Sequence, residues 1–224
     1  MKGITFLYED KDCVALNKDA GISVQGGRGV TLSLDAVLSA SCDFKPYLVH
    51  RLDKDTSGVM IVAKSSAAAA YFSAAISGKK TVKRYLAVCG RQRTAKNLVK
   101  NGIIESFLYY KNGDKTAKTR YGIISTINDP LGIWTFFELE LCTGRTHQIR
   151  RHLSENGYVI LGDEKYGDWA LNKKLRKERA LKRLLLHSSR LIMPLPGGGI
   201  LDTSAPLPDY FIPFVQNADY RRTP

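Results

Sequence analysis

The sequence predicts a mixed α+β fold in which most of the strands are antiparallel. Segments with strand-like patterns outnumber segments with helical spacing. Short polar turns, rather than helices, connect many of the strand-like segments, as in β-hairpins. One long segment, residues 133–141, alternates between two faces, which is typical of a strand with one packed face. These observations favour an α+β fold over a wound βαβ fold.

The first half of the chain contains a predicted hairpin followed by alternating helices and strands. The hairpin joins residues 4–8 and 13–17 around a polar Glu-Asp-Lys-Asp turn. The apolar run over residues 57–64 predicts a buried strand, and the alanine-rich segment behind it predicts a helix with a serine cap. The remaining predictions are a helix over residues 31–38, a helix over 66–77 and a strand over 81–88.

In the second half, Asn112-Gly113 is the strongest hairpin-turn signal, with predicted strands over residues 107–111 and 115–121. Residues 146–155 have helical spacing and end at Asn156-Gly157, a common helix stop. The tail from Pro194 is rich in proline and glycine and is predicted to form loops.

Composition indicates one domain of ordinary globular character. The 224 residues are 44% hydrophobic and 25% charged. This excludes a disordered tail, a collagen-like repeat and a disulfide mini-protein. The length suits one domain, or two lobes that share a core. We find neither a repeat nor a linker and predict a single domain over residues 1–224.

The charge balance indicates a polyanionic partner. The formal net charge is +13, from 34 basic and 21 acidic residues. Residues 56–104 carry nine basic residues and no acid, and residues 165–183 carry eight basic residues against two acids. Such concentrations favour a surface that follows a nucleic-acid backbone. The alternative for either segment is a solvated helix face, and a membrane surface is disfavoured because neither segment has a broad apolar face.

Within the second basic segment, residues 172–183 have the spacing of a helix. Leu175 lies on one side, and Lys173, Arg176 and Lys177 lie broadly opposite. Lys182 would return to the Leu175 side, so the helix is expected to end before it.

The four cysteines, at positions 13, 42, 89 and 142, form no CxxC pair. Cys142 alone has a nearby histidine, His147, and one such pair does not make a metal site. We predict free, buried thiols in a reducing compartment. The N-terminus lacks a signal-peptide pattern, and no segment reaches the length of a membrane span. The expected location is the cytoplasm.

Two motifs concentrate charged side chains beside apolar segments. In the first, His50-Arg51-Leu52-Asp53-Lys54-Asp55-Thr56-Ser57-Gly58, a charged turn precedes a buried strand and brings Arg51 and Asp53 to the mouth of the sheet. A capping turn is the alternative. In the second, residues 141–152, helical spacing puts Ile149 and Leu153 on the core face. Arg150 then flanks that face and can reach a buried carboxylate, whereas Arg151 and His147 point away.

Two further motifs are Lys83-Arg84-Tyr85 and Leu184-Leu185-Leu186-His187-Ser188. His50 and His187 lie beside apolar residues. Their neighbours favour hydrogen-bonded structural roles over general bases.

Six motifs in order make the chain resemble the RluA-type RNA pseudouridine synthases: HRLDKDTSG, KRYLA, LCTGRTHQIRRH, ILGDEKYGD, LLLHS and APLPDYF. The resemblance implies a bipartite, mixed β-sheet with flanking helices and a central RNA-binding cleft. One departure is Asp19, in Asn17-Lys18-Asp19-Ala20-Gly21, where many members have proline. Aspartate is also a good turn residue, so the departure affects loop geometry rather than chemistry.

By this resemblance the activity is the isomerisation of uridine to pseudouridine in RNA, which needs no metal and no cofactor. Asp53 would be the catalytic aspartate, acting as a nucleophile on base or sugar, or removing a ribose proton. Arg150 would pair with that carboxylate and keep it charged. Tyr85 would stack on the uracil, with its hydroxyl near the sugar.

The resemblance also implies substrate-binding residues. Arg51 would enter the RNA stack when the target uridine is flipped out. Leu186, or its neighbour Leu185, would complete the apolar wall of the uracil pocket, and Lys83 and Arg145 would also bind substrate. As alternatives, Arg51 forms a surface salt bridge, Arg150 is an exposed helical arginine, and Tyr85 and Leu186 are ordinary core residues.

Three functional readings differ in their requirements. An active synthase needs Asp53, Tyr85 and Arg150, and all three are present. A non-catalytic RNA-binding or RNA-folding factor on the same scaffold would be expected to lack at least one. A metal-dependent hydrolase would need an acidic cluster, and none stands at suitable spacing.

The substrate would be large-subunit ribosomal RNA or transfer RNA. With Asp53 so near the N-terminus, no S4 RNA-binding domain is expected ahead of the catalytic domain. A monomer is the expected state.

Overall fold

A computed structural model describes residues 3–27, 32–78, 80–108, 113 and 115–215. Eleven strands and four α-helices follow one another in this part of the chain. Their order is β1 (Ile4–Glu9), β2 (Cys13–Lys18), α1 (Leu34–Ser41), β3 (Tyr47–Leu48), β4 (Ser57–Ala63), α2 (Ser66–Ser77), β5 (Val82–Arg91), β6 (Asn101–Leu108), β7 (Lys115–Asp129), β8 (Gly132–Leu141), α3 (Gln148–Glu155), β9 (Tyr158–Ile160), α4 (Trp169–Glu178), β10 (Leu186–Pro194) and β11 (Ile200–Ser204). A 3-10 helix over Asp209–Phe214 follows β11.

The chain divides into two units. The first comprises Met1–Lys83 and His187–Pro206, and the second comprises Arg84–Leu186 and Leu207–Pro224. Each unit contains a sheet of mostly antiparallel strands, which confirms the predicted fold class.

The first unit is built on β4, every residue of which is buried. Strand β2 pairs with β4 antiparallel, and β1 pairs with β2 antiparallel. On the other side β10 pairs with β4 in parallel, through His187 opposite Ser57 and Ser188 opposite Gly58. Strand β11 pairs antiparallel with β10, and β3 pairs with the far end of β4.

Helix α2 closes the core of this unit. Its N-cap Ser65 accepts a hydrogen bond from the backbone N–H of Ala68, which satisfies one of the unpaired donors of the first turn. Phe72 is fully buried and packs in one cluster with Ile61 and Met193. The helix therefore covers the apolar face that β4 and β10 share.

The sheet of the second unit has the order β9, β5, β8, β7, β6, with every pair antiparallel. Phe137 on β8 is fully buried. Its ring meets Tyr121 and Tyr158 edge to face, with centroids 6.1 and 5.2 Å apart, in the geometry that aromatic pairs prefer. These rings form part of the core behind α3.

The first hairpin, strand β4 and helix α2 are confirmed. The bounds of α2 are those predicted, and the strands differ from their predicted bounds by one residue at the C-terminal end. Strand β5 starts one residue after the predicted position. Helix α1 lies three residues further along than predicted and starts after its N-cap Ser33. Helix α4 ends at Glu178, before Lys182, as expected.

Three predictions need correction. The tail from Pro194 is not all loop, because β11 extends the first sheet and a 3-10 helix follows. In the second hairpin the strand predicted over residues 107–111 begins at Asn101 as β6, with Leu108 opposite Lys115, and residues 109–111 lie outside the described part of the chain. Of its turn only Gly113 is described, with a φ of +97°. Finally, the cysteines are free, but only Cys13 and Cys89 are buried; Cys42 is half-buried, and Cys142 is exposed because it follows the end of β8.

Candidate active site

The turn that carries Asp53 lies directly before β4 in the first unit. Leu52 is buried, whereas Arg51 is exposed and Asp53 is half-buried. This alternation is the one expected of an extended segment whose Arg51 and Asp53 share the side opposite Leu52. The turn closes when the backbone N–H of Thr56 donates to the Asp53 carbonyl at 3.1 Å.

A buried lysine stabilises this turn through hydrogen bonds to backbone carbonyls. Lys18, the last residue of β2, is fully buried. Its ammonium donates to three backbone carbonyls: Ile22 at 2.9 Å, Asp19 at 3.0 Å and Lys54 at 3.1 Å. Three acceptors match the three donors of an ammonium group. Lys18 thus ties the loop after β2 to the residue next to Asp53.

Burial lowers the pKa of Lys18 to about 8, although Asp55, Asp19 and Asp53 favour its charged form. The ammonium is therefore mostly charged at neutral pH. Sequence analysis did not predict this role, because lysine is seldom buried unless paired.

A close approach of two backbones explains the glycine that ends the first motif. Gly58 has a φ of +113°, and a Cβ atom built on it would lie 2.1 Å from the carbonyl oxygen of Ser188. Only glycine permits both the conformation and the contact. This position fixes β4 against β10.

His50 and His187 have structural environments, in agreement with the prediction. The backbone N–H of Ile61 donates to Nε2 of His50 at 3.0 Å. His187 contacts the Ser57 hydroxyl through Nδ1 at 2.9 Å and the Ala205 carbonyl through Nε2 at 3.3 Å. Burial lowers the pKa of each imidazole to about 4, with Lys83 adding to the effect at His50. Both are neutral at pH 7.

In the second unit Arg150 forms a bidentate ion pair with a buried carboxylate. Nε donates to Oδ2 of Asp163 at 2.7 Å, and Nη2 donates to Oδ1 at 2.8 Å. The Arg150 side chain is 11% exposed and that of Asp163 is 1% exposed. The predicted reach of Arg150 to a buried carboxylate is confirmed with Asp163 as that carboxylate, and its pairing with Asp53 stays a prediction.

Asp163 accepts further hydrogen bonds from the backbone N–H groups of Lys165 and Tyr166, both at 2.9 Å. Burial alone would raise the Asp163 pKa, but the hydrogen bonds from Arg150 and Tyr166 outweigh it and hold the pKa below its ordinary value. Asp163 stands in the ILGDEKYGD motif, but the motif alone predicts no role for it.

Tyr166 adds a second contact to Arg150. The guanidinium carbon lies 5.1 Å from the Tyr166 ring centroid, a cation–π distance. The Tyr166 hydroxyl is 3.0 Å from Nδ1 of His147, which has a left-handed backbone with φ of 54°. The ion pair with Asp163 therefore fixes the direction of the Arg150 side chain, and the Tyr166 ring fixes the plane of its guanidinium group.

The neighbouring Arg151 differs from its prediction. Its side chain is only 17% exposed and lies 3.7 Å from Glu155, one helical turn later. The i,i+4 spacing brings these two charges together.

The remaining predicted site residues divide between the two units. Tyr85 lies on β5 opposite Leu139 and is buried, and Leu186, at the start of β10, is also buried. Lys83 is half-buried, and its Nζ lies 3.4 Å from the Ile76 carbonyl. Arg145 is exposed, and its backbone N–H donates to the Gln148 side chain at 3.0 Å. Arg51, Asp53 and Lys83 belong to the first unit, and Tyr85, Arg145, Arg150 and Leu186 to the second.

Among the described residues, no three His, Cys, Asp or Glu side chains are grouped so that they could hold a metal ion. In the same part of the chain, no helix has the length and apolar character needed to cross a membrane.

The class of the protein follows from its similarity to known families and structures. The sequence profile of a family described as RNA pseudouridylate synthase matches residues 12–155, which include Asp53, Tyr85 and Arg150. The chain belongs to this family, and it is an isomerase that acts on RNA.

Curated relatives agree with this assignment. The ribosomal large subunit pseudouridine synthase C of Rickettsia bellii (strain RML369-C) is 34% identical over 218 residues, which are 92% of this chain and 69% of the relative. The protein of the same name from Escherichia coli O157:H7 is 33% identical over 217 residues, 91% of this chain and 66% of the relative.

Solved structures share the fold. Human RNA Pseudouridylate Synthase Domain Containing 4 has a TM-score of 0.72 and 26% identity, and the match covers 93% of this chain and 90% of that one. Human RNA Pseudouridylate Synthase Domain Containing 1 has a TM-score of 0.73 over 91% of this chain and 83% of that one. At 22% identity, the second supports the fold alone.

Proposed function

We propose that the chain isomerises specific uridines in large-subunit ribosomal RNA. The substrate class comes from the names of the curated relatives, which match more than nine-tenths of this chain. The observation that carries the catalytic part is the turn at Asp53, which is clamped by a buried ammonium and presents a half-buried carboxylate. The net charge of +13 supports a polyanionic substrate.

Asp53 is the catalytic carboxylate of this proposal. The reaction breaks the bond between uracil N1 and ribose C1′ and forms a bond between uracil C5 and C1′. The hydrogen on C5 leaves, and N1 gains a proton, so the overall change needs no redox partner. Asp53 acts as the nucleophile on base or sugar, or as the base that removes a ribose proton.

Arg150 holds the charge of Asp53 during the reaction. Two of the three guanidinium nitrogens of Arg150 donate to Asp163. A guanidinium presents five donors in a planar fork, which suits two carboxylates at once. In the proposal Asp163 sets the direction of the Arg150 guanidinium.

Tyr85 and Leu186 form the uracil pocket. Both are buried in the second unit, and within it the backbone N–H of Val88, on the same strand as Tyr85, donates to the carbonyl of Leu185 at 3.1 Å. An aromatic ring and an aliphatic side chain suit the two faces of a flipped base.

Arg51 enters the RNA stack in place of the flipped uridine. Its exposure, on the side of the turn that it shares with Asp53, supports this role. Lys83 and Arg145 contribute positive charge toward the RNA backbone.

The same scaffold would serve a cytoplasmic, monomeric enzyme that acts as a single domain over residues 1–224. Four free cysteines are compatible with a reducing compartment.

The substrate is tested by tritium release from C5-labelled uridine in two unmodified RNAs, a large-subunit ribosomal transcript and a pool of transfer RNA. Release from the ribosomal transcript alone is expected. Release from transfer RNA alone would reassign the substrate, and RNA binding without release from either RNA would favour the non-catalytic factor.

A further inference from the structure

Helix α4 carries an exposed tryptophan among cations. Trp169, its first residue, is 67% exposed, whereas the other tryptophan of the chain, Trp134, is 3% exposed. Nζ of Lys173, one turn later, lies 5.2 Å from the Trp169 ring centroid. A large aromatic side chain that is mostly in solvent beside a lysine needs an explanation, because tryptophan is usually mostly buried in folded proteins.

The exposed side of α4 is basic from Lys173 to Lys177, in the turn that follows Trp169. Lys173, Lys174, Arg176 and Lys177 are all exposed, and Glu178 is the one acid of the helix. Arg176 pairs with Glu164, so the three lysines supply most of the positive charge. Charge complementarity therefore favours a polyanion as the partner of this helix, rather than a protein surface with few acidic residues.

The opposite side of α4 is rigidly attached to the second unit. Leu175 is fully buried. Asn172 is buried as well, and its side chain accepts from the Gly162 N–H at 2.9 Å and donates to the Asp163 carbonyl at 3.0 Å. Asp163 is the partner of Arg150, so one hydrogen-bonded path joins α4 to that arginine.

We propose that α4 is an RNA-binding surface on which Trp169 stacks against an unpaired base and Lys173, Lys174 and Lys177 contact flanking phosphates. Indole rings bind single-stranded RNA by stacking, and lysines bind the backbone as point charges. The occupant is a single-stranded segment of the substrate RNA, at a surface additional to the uracil pocket. The inference rests on the proposed function, because it assigns this surface to the same RNA.

The two tryptophans allow a direct optical test in the full-length chain. Intrinsic fluorescence is recorded while wild type and Trp169→Phe are titrated with an unmodified large-subunit ribosomal transcript. Quenching in the wild type, and its loss in Trp169→Phe, is expected because a stacked base quenches indole. Equal quenching in both proteins would assign the signal to Trp134 and overturn the proposal.

Affinity gives a second readout. Trp169→Ala is expected to weaken binding of the transcript roughly 5- to 150-fold, the effect of losing one stacked base. Ile200→Ala, which truncates an apolar side chain of similar exposure in the first unit, should bind as wild type does. Lys173→Gln/Lys177→Gln should reduce the slope of log affinity against log salt by about 1.4 to 1.8. Wild-type affinity in Trp169→Ala would overturn the proposal.

Tritium release separates this inference from the proposed function. For Trp169→Ala we expect a raised KM and an unchanged kcat on the transcript. Release by wild type, with identical KM for Trp169→Ala, would overturn the surface and leave the function standing. A blue shift of the Trp169 fluorescence with vesicles of phosphatidylserine and phosphatidylcholine, together with no quenching by RNA, would assign α4 to a membrane and also overturn the proposal.

Discussion

Arg150 and Asp163 form a bidentate pair in which Nε and Nη2 donate to the two carboxylate oxygens at 2.7 and 2.8 Å. Both side chains are almost excluded from water. Removal of one member of such a buried pair leaves an uncompensated charge, which makes the pair a sensitive point of the fold.

Asp163→Asn is expected to lower the free energy of unfolding by about 3–5 kcal/mol, because it removes the buried carboxylate that pairs with the Arg150 guanidinium. Urea denaturation at pH 7 measures the change. Asp129→Asn is the control, since it removes the partner of Arg179 from a more exposed pair and should cost only about 0–1 kcal/mol. Equal losses in the two variants would contradict a special role for Asp163.

Gly58→Ala is expected to destabilise the first unit severely, because the new Cβ would meet the Ser188 backbone. The matched control is Gly198→Ala, at a φ of +89° with open space around it. That control carries only the backbone strain, about 1–3 kcal/mol. Thermal unfolding should show a much larger fall in Tm for Gly58→Ala, and similar falls would contradict the close approach.

The buried histidines predict an acid-sensitive fold. Burial lowers the pKa of His50, His152 and His187 to about 4, against about 6.5 in an unfolded chain. Between pH 6.5 and 4 the unfolded chain therefore binds protons that the folded chain does not. Stability should be complete above pH 6.5 and fall as the pH drops toward 4, by up to about 1.4 kcal/mol per pH unit for each histidine.

Urea denaturation at pH 7, 6 and 5 tests this prediction. In the His187→Gln variant, the slope of the free energy of unfolding against pH should be smaller by the contribution of about one proton, whatever the absolute stability of the variant. An unchanged slope would mean that His187 is not held neutral.

Lys18→Met is expected to impair turnover more than RNA binding. The ammonium gathers the Asp19, Ile22 and Lys54 carbonyls, and its loss lets the Asp53 turn move. Small displacements of a catalytic group cost about 10- to 100-fold in rate, so kcat should fall in that range while KM changes little. Lys54→Met removes an exposed lysine of the same turn and should leave kcat near the wild-type value. Comparable kcat in the two variants would contradict the clamp.

Local pattern predicted much of this fold, and the failures have physical reasons. Strand β4 and helix α2 were predictable because apolar runs, helical spacing and the Ser65 cap act within a few residues. Strand β11 was not predictable, because its structure depends on pairing with β10, whereas its flanks are rich in proline and glycine.

In the candidate site too, local sequence pattern predicted some residues, whereas contacts between distant residues were not predictable. Motifs located Asp53 and Arg150, but the partner Asp163 lies 13 residues beyond Arg150 and reaches it only through the turn after β9. The role of Lys18 was hidden because its three acceptors are backbone carbonyls, which carry no sequence signature.

Asp53→Asn tests the central claim most directly, by tritium release from C5-labelled uridine in the large-subunit transcript. Asp55→Asn, an exposed carboxylate of the same turn, is the matched control. We predict that Asp53→Asn releases no tritium while it melts and binds RNA as wild type does, and that Asp55→Asn remains active. Release by Asp53→Asn at the wild-type rate would contradict the assignment of Asp53 as the catalytic carboxylate.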